Sequence, residues 1–214
     1  MKTDSKLYTY SLIGLSILAV GGIATFFIFR SKNKSNQMSN EVSNQEGNED
    51  NNNQMNVDKS KNYIIGDSQT PLIDNKSQKV KRFGEQGGMQ NLWEGSKGLS
   101  WLKQAVDKYP ITADVNSIVI NIGTNGGFNA SEDIAGLVSS IRSKFPNAKL
   151  YAVKGSWGWG GNKFTTQQQV DTYYNKFSNL GVTLIPTAIG VTSNPHNNLP
   201  VYVTIGREID SIIN

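Results

Sequence analysis

Tyr63-Ile64-Ile65-Gly66-Asp67-Ser68-Gln69 is the stretch on which the reading of this chain turns. A short apolar run closes on a glycine, an acid and a serine, the pattern of a buried strand that turns sharply into the next element. In open α/β sheets the carboxyl ends of strands are where side chains meet ligands. A serine just past such a strand therefore stands on chemically useful ground. Taken bare, Gly-Asp-Ser is common, and its serine more often caps a helix than attacks a substrate.

Further apolar runs continue the pattern. Strands are expected over 62–65, 79–83, 117–122, 150–153 and 182–187, each too apolar for a half-exposed antiparallel strand. Helical periodicity fills the gaps. Leu102, Ala105, Val106 and Tyr109 share one side of 99–108. Ile134, Leu137, Val138, Ile141 and Phe145 recur at a 3.6-residue spacing over 131–145, with Ser131 as the expected N-cap and Pro146 as the stop. Val170, Tyr173, Phe177 and Leu180 mark a helix over 166–180 closed by Gly181, and a last helix is expected over 203–213. Such alternation implies a three-layer α/β/α sandwich around a mainly parallel five-stranded sheet.

That topology gathers the segments following the strands. A serine hydroxyl needs a neighbouring base to attack at neutral pH. The chain has one histidine, His196, so there is one imidazole candidate. Acyl transfer also needs donors aimed at the oxyanion of the tetrahedral intermediate. Gly84-Glu85-Gln86-Gly87-Gly88 and Gly123-Thr124-Asn125-Gly126-Gly127 are the candidate sources, although both are also ordinary turn sequences. Gly155-Ser156-Trp157-Gly158-Trp159-Gly160-Gly161 follows the fourth strand; Trp157 and Trp159 could face a sugar or acyl group, or cover the sheet edge. Asp67 reads as a structural hydrogen-bond acceptor. No metal-ligand cluster or phosphate loop is evident, and no cofactor is expected.

The ordered blocks Gly66-Asp67-Ser68, Gly87, Gly123-Thr124-Asn125 and His196 resemble those of the SGNH/GDSL hydrolases across residues 61–214. The resemblance implies a flavodoxin-like SGNH hydrolase fold. It implies Ser68 as nucleophile, His196 as general base, and an oxyanion hole from Ser68, Gly87 (with Gly88 as rival) and Asn125. The family pattern carries an aspartate three residues before the histidine; here that position is Ser193, which brings no negative charge. Gln69 replaces the frequent leucine after the serine.

Outside this domain, residues 7–29 carry no charged side chain and would span roughly 34 Å as a helix, enough for a hydrocarbon core of about 30 Å. A single transmembrane anchor is expected there after a flank at 1–6, with a cleaved signal peptide as the alternative. Two lysines before the segment face three basic residues after it, too small a difference to set the topology. Residues 30–60 read as a disordered Asn-rich linker. Residues 1–59 hold six basic and six acidic side chains and 60–214 fifteen and eleven, so the net +4 belongs to the folded part. No dense basic cluster marks a nucleic-acid partner. The absence of cysteine excludes disulfides.

Two functions are expected from this reading. One is a membrane-tethered serine esterase or deacylase acting on an acylated glycan or small ester, in a single-pass protein facing the extracytoplasmic side if the substrate is a surface glycan. The other is a catalytically weak or inactive carbohydrate-binding or structural module, including one of a viral membrane.

Overall fold

The computed structural model describes residues 61–159, 164–186, 189–197 and 199–213. The strands are β1 (Asn62–Gly66), β2 (Lys81–Arg82), β3 (Ser117–Asn121), β4 (Lys149–Val153), β5 (Ser156–Trp157), β6 (Thr183–Ile185) and β7 (Ile189–Gly190). The helices are α1 (Thr70–Asp74), α2 (Leu99–Lys108), α3 (Ile134–Lys144), α4 (Gln167–Asn179) and α5 (Leu199–Ile212). Five strands form one sheet in the order β2-β1-β3-β4-β6, parallel throughout, while β5 and β7 pair separately.

Alternation along the central strands builds two cores. Ile65, Ile118 and Ile120 face a cluster with Leu102 and Val106 of α2, Leu137 and Ile141 of α3, and Tyr173 and Phe177 of α4. Ile64, Val119 and Val153 face the other side with Ile73 of α1 and Tyr202, Ile205 and Ile209 of α5. The result is a three-layer sandwich with the strand order of the flavodoxin-like class. Burial on both faces explains why β3 is continuously apolar from Ile118 to Ile120, between its terminal serine and asparagine. The chain passes from β1 to β2 on one side and then to β3 on the other, so a topological switch point opens beyond the carboxyl ends of β1 and β3.

Local signals set most element ends. Thr166 and Gln169 form a reciprocal capping box at α4. The start of α3 is capped by Asp133, which accepts from the Gly136 amide, rather than by Ser131. The second strand is shorter than expected because it lies at the sheet edge, where one neighbour supplies its hydrogen bonds. The last helix begins four residues before the expected start at 203.

One part of the expected architecture is corrected. Among the described residues no helix is long and apolar enough to cross a membrane. The longest, α5, has 14 residues, about 21 Å of helix against a core of about 30 Å, and one of its faces packs on the sheet. A transmembrane helix is therefore no part of the described fold. The expected lipid-membrane partner, single-pass localisation and membrane tether of a hydrolase accordingly find no support among the described residues. Residues 7–29, on which those expectations rested, lie outside the described residues, as do 1–6 and the expected linker at 30–60.

Candidate functional site

The site begins where β1 ends. Gly66 has φ +146°, and a Cβ there would lie 1.8 Å from the Asn121 carbonyl oxygen. Glycine at this position lets β1 and β3 stay paired through their last residues. Asp67 then turns the chain. Its amide donates to the Asn121 carbonyl, while its Oδ1 accepts from the Gln69 amide at 2.9 Å and from Asn121 Nδ2 at 3.2 Å. Its other oxygen, Oδ2, is buried with no partner among the described residues. Burial pushes the Asp67 carboxyl up to about 7, against the opposing pull of the two hydrogen bonds. This is the structural acceptor expected of Asp67, held at an unusual cost.

Ser68 sits at the apex of that turn. The amides of Gln69 and Thr70 are spent within it and that of Asp67 on Asn121, while the Ser68 amide meets no acceptor among the described residues. Gln69 is fully buried and ties three strand ends together: its Nε2 donates to Thr124 Oγ1 at 3.0 Å and its Oε1 accepts from Ser156 Oγ at 2.7 Å. A leucine here could make neither bond.

His196 arrives from the opposite end of the sequence. It lies in a single 3₁₀ turn, Pro195–Asn197, before α5. Its Nε2 is 2.8 Å from Ser68 Oγ although 128 residues separate them. On the far side of the ring, Nδ1 is 2.6 Å from Asn194 Oδ1. Ser193, where the family pattern has an acid, is exposed, and the neighbouring asparagine makes the ring contact instead. Trp159 packs edge-on against the imidazole with centroids 5.6 Å apart. Partial burial lowers the His196 pKa from its ordinary value, favouring the neutral ring at neutral pH.

The remaining expected residues divide. Asn125, in the 3₁₀ turn after β3, donates from Nδ2 to the Lys97 carbonyl at 2.8 Å, leaving its second amide hydrogen available. That bond fastens it to the loop carrying Gly95. Gly66 bridges Trp93 in parallel register, and the Glu94 amide donates to the Gly66 carbonyl, which sets Gly95 alongside Ser68. A Cβ built on Gly95 would lie 3.9 Å from the Ser68 Cβ. Gly87 instead lies in an exposed turn, its amide donating to Glu94 Oε2 at 3.3 Å. Trp159 borders the site, whereas Trp157 packs on the main core and against Gly190. Gly160 and Gly161 lie outside the described residues.

Sequence reasoning thus missed Gly95 and Asn194. Gly95 carried no distinguishing mark among 21 glycines. Asn194 did: Asn-Pro favours turn initiation, and an asparagine oxygen commonly accepts from the amide two residues on. A cavity of about 570 Å³ lies elsewhere, lined by Leu92, Trp101, Tyr109 and neighbours, and includes none of Ser68, His196 or Asn194.

No protein-family pattern and no curated protein matches the chain. The fold is similar to those of several solved esterase- and lipase-type proteins. A possible lipase from Chitinophaga pinensis is 14% identical over 63% of this chain and 68% of its own, with a TM-score of 0.39. An active-site mutant of a family two carbohydrate esterase from Clostridium thermocellum is 13% identical over 70% and 61%, with a TM-score of 0.41. A protein classed as an arylesterase from Agrobacterium tumefaciens is 12% identical over 70% and 95%, with a TM-score of 0.38. Likenesses this distant assign no chemistry, which rests on the side chains themselves.

Proposed function

We propose that this domain hydrolyses acyl esters by a serine mechanism. The observation that carries the reading is the 2.8 Å approach of His196 Nε2 to Ser68 Oγ at the switch point of a parallel sheet. Ser68 Oγ attacks the acyl carbonyl carbon as His196 Nε2 takes its proton. The carbonyl oxygen becomes an oxyanion, and we assign as its donors the Ser68 amide, the second Asn125 Nδ2 hydrogen and the amide of Gly95, the glycine that lies beside Ser68 where Gly87 was expected. The intermediate collapses, His196 protonates the departing alcohol, and the acyl group stays on Ser68. Water then loses a proton to the same imidazole and attacks the acyl-serine; as the acyl C–Oγ bond breaks, His196 returns that proton to Ser68 Oγ and the acid leaves. The acyl group could come from a glycan or a small ester, with Trp159 beside the imidazole as an apolar wall.

A second reading is a carbohydrate-binding domain with little turnover. It is favoured by the uncharged group behind the imidazole, since a carboxylate there would stabilise the imidazolium. A fluorophosphonate probe separates the two. Wild-type protein should be labelled at Ser68 and should hydrolyse p-nitrophenyl acetate, and Ser68→Ala should do neither. Folded wild-type protein that resists labelling would exclude the serine-hydrolase reading.

A further inference from the structure

We propose that Asn194 is the positioning residue of an uncharged Ser68–His196–Asn194 relay, its side-chain oxygen fixing His196 as the Nδ1–H tautomer that leaves Nε2 free to accept the Ser68 proton. This inference rests on the serine-hydrolase reading for its catalytic consequence, but not for its structural content.

Hydrogen-bond logic assigns the tautomer. The oxygen and nitrogen of an asparagine amide are distinguished by their partners. The His196 backbone N–H can only donate, and it points to the Asn194 side-chain atom 3.0 Å away, so that atom is Oδ1. The same oxygen lies 2.6 Å from His196 Nδ1. An amide oxygen can only accept, so Nδ1 must carry the ring proton. In the neutral imidazole Nε2 is then bare, and it faces Ser68 Oγ. Reversing the amide would still let its NH₂ donate to a bare Nδ1, but it would set NH₂ against the backbone N–H and lose that bond, so the backbone contact decides the orientation.

The same geometry explains how a short polar side chain holds a ring. Asn194 opens the 3₁₀ turn, with the Asn197 amide donating to its carbonyl. The side-chain oxygen caps the first free amide of that turn. Its position is therefore set by backbone before the imidazole meets it. An aspartate three residues upstream is replaced here by a neutral acceptor two residues upstream, inside the turn that carries the base.

Substitutions separate capping from orientation. Serine is a good cap but too short to bridge both the backbone amide and Nδ1. Aspartate can make both bonds and adds a charge. Because His196 is the chain's sole histidine, ¹⁵N-histidine labelling of the full chain gives one imidazole spectrum without assignment. Wild-type protein above the imidazole pKa should show a protonated Nδ1 and an unprotonated Nε2. N194S should move the ring toward the Nε2–H form and lower kcat/KM by roughly 10²-fold, the lower range of what a positioned general base supplies. N194D should recover what N194S loses and move the acid limb of the pH profile upward by about 1–3 units, as an opposite charge at contact distance does.

A wild-type ring protonated at Nε2, or an N194S ring unchanged from wild type, would overturn the inference. If N194S fails to fold, the wild-type spectrum and the N194D pH shift still decide. A wild-type Nδ1–H ring combined with failure to react with fluorophosphonate would remove the hydrolase reading while leaving the tautomer assignment standing.

Discussion

Replacing Asp67 with asparagine should remove a pH dependence of stability that this buried carboxyl imposes on the fold. Asp67 has one oxygen in hydrogen bonds and one buried without a described partner, so the ionised form is poorly solvated. Its pKa rises from 3.8 to about 7 on folding. The native state therefore holds the proton more tightly than the unfolded chain. The favourable contribution is fully present below about pH 4 and is lost as pH rises through about 7. At about 1.36 kcal/mol per unit, the full excursion corresponds to roughly 4 kcal/mol. Asparagine keeps the Oδ1 acceptor and cannot ionise. Urea unfolding of wild type and Asp67→Asn from pH 4 to 8 measures the difference directly. Glu132, raised by burial, and His196, lowered by it, titrate in the same window but cancel between the two proteins. Wild type should weaken relative to the variant by about 3–4 kcal/mol across the series. Stability curves that stay parallel within about 1 kcal/mol would refute the reasoning, because the carboxyl would then be solvated or paired in a way its surroundings do not provide.

Other expectations follow from single contacts. Gly66→Ala forces a Cβ to 1.8 Å from the Asn121 carbonyl oxygen at a positive φ, and should cost more than about 4 kcal/mol or prevent folding, read by circular dichroism and thermal melting. Gln69→Leu leaves Thr124 Oγ1 and Ser156 Oγ short of a buried partner, and should destabilise by about 2–4 kcal/mol in chemical denaturation; a loss below about 0.5 kcal/mol would mean that the three strand ends do not depend on this side chain. The acid limb of kcat/KM should fall below the ordinary imidazole value of 6.5, because burial disfavours the protonated ring. Trp159→Ala should open the ring to water and raise its pKa toward that value, which the histidine ¹⁵N shifts would follow.

The layers of this fold were readable because burial imposes periods on sequence. Apolar runs marked both faces of β1 and β3 as covered, and the 3.6-residue stripes of α3 and α4 named the residues that now line one core. Glycine, aspartate and serine after β1 marked a turn at a strand end, and alternation of element types required a parallel sheet whose strand ends share one edge. Edges and caps were less visible. Ser131 and Asp133 are both good N-cap residues, and the choice between them depends on where Ile134 must point to reach the core.

Residues 62–69 and the alternation after them determined the sheet, its parallel sense and the edge at which Ser68, Asn125 and His196 would emerge. Only the tertiary structure decided which loop atoms meet there. The pairing of Gly66 with Trp93 brings Gly95 rather than Gly87 to the serine, and a turn opening on Asn194 carries the imidazole across to it. The division has a physical cause. Periodicity records which side of an element loses contact with water, a property of each residue and its near neighbours. A contact spanning 128 residues depends on strand register, the dihedral angles of several turns and the fit of hydrogen-bond donors to acceptors, none of which leaves a periodic trace in the chain.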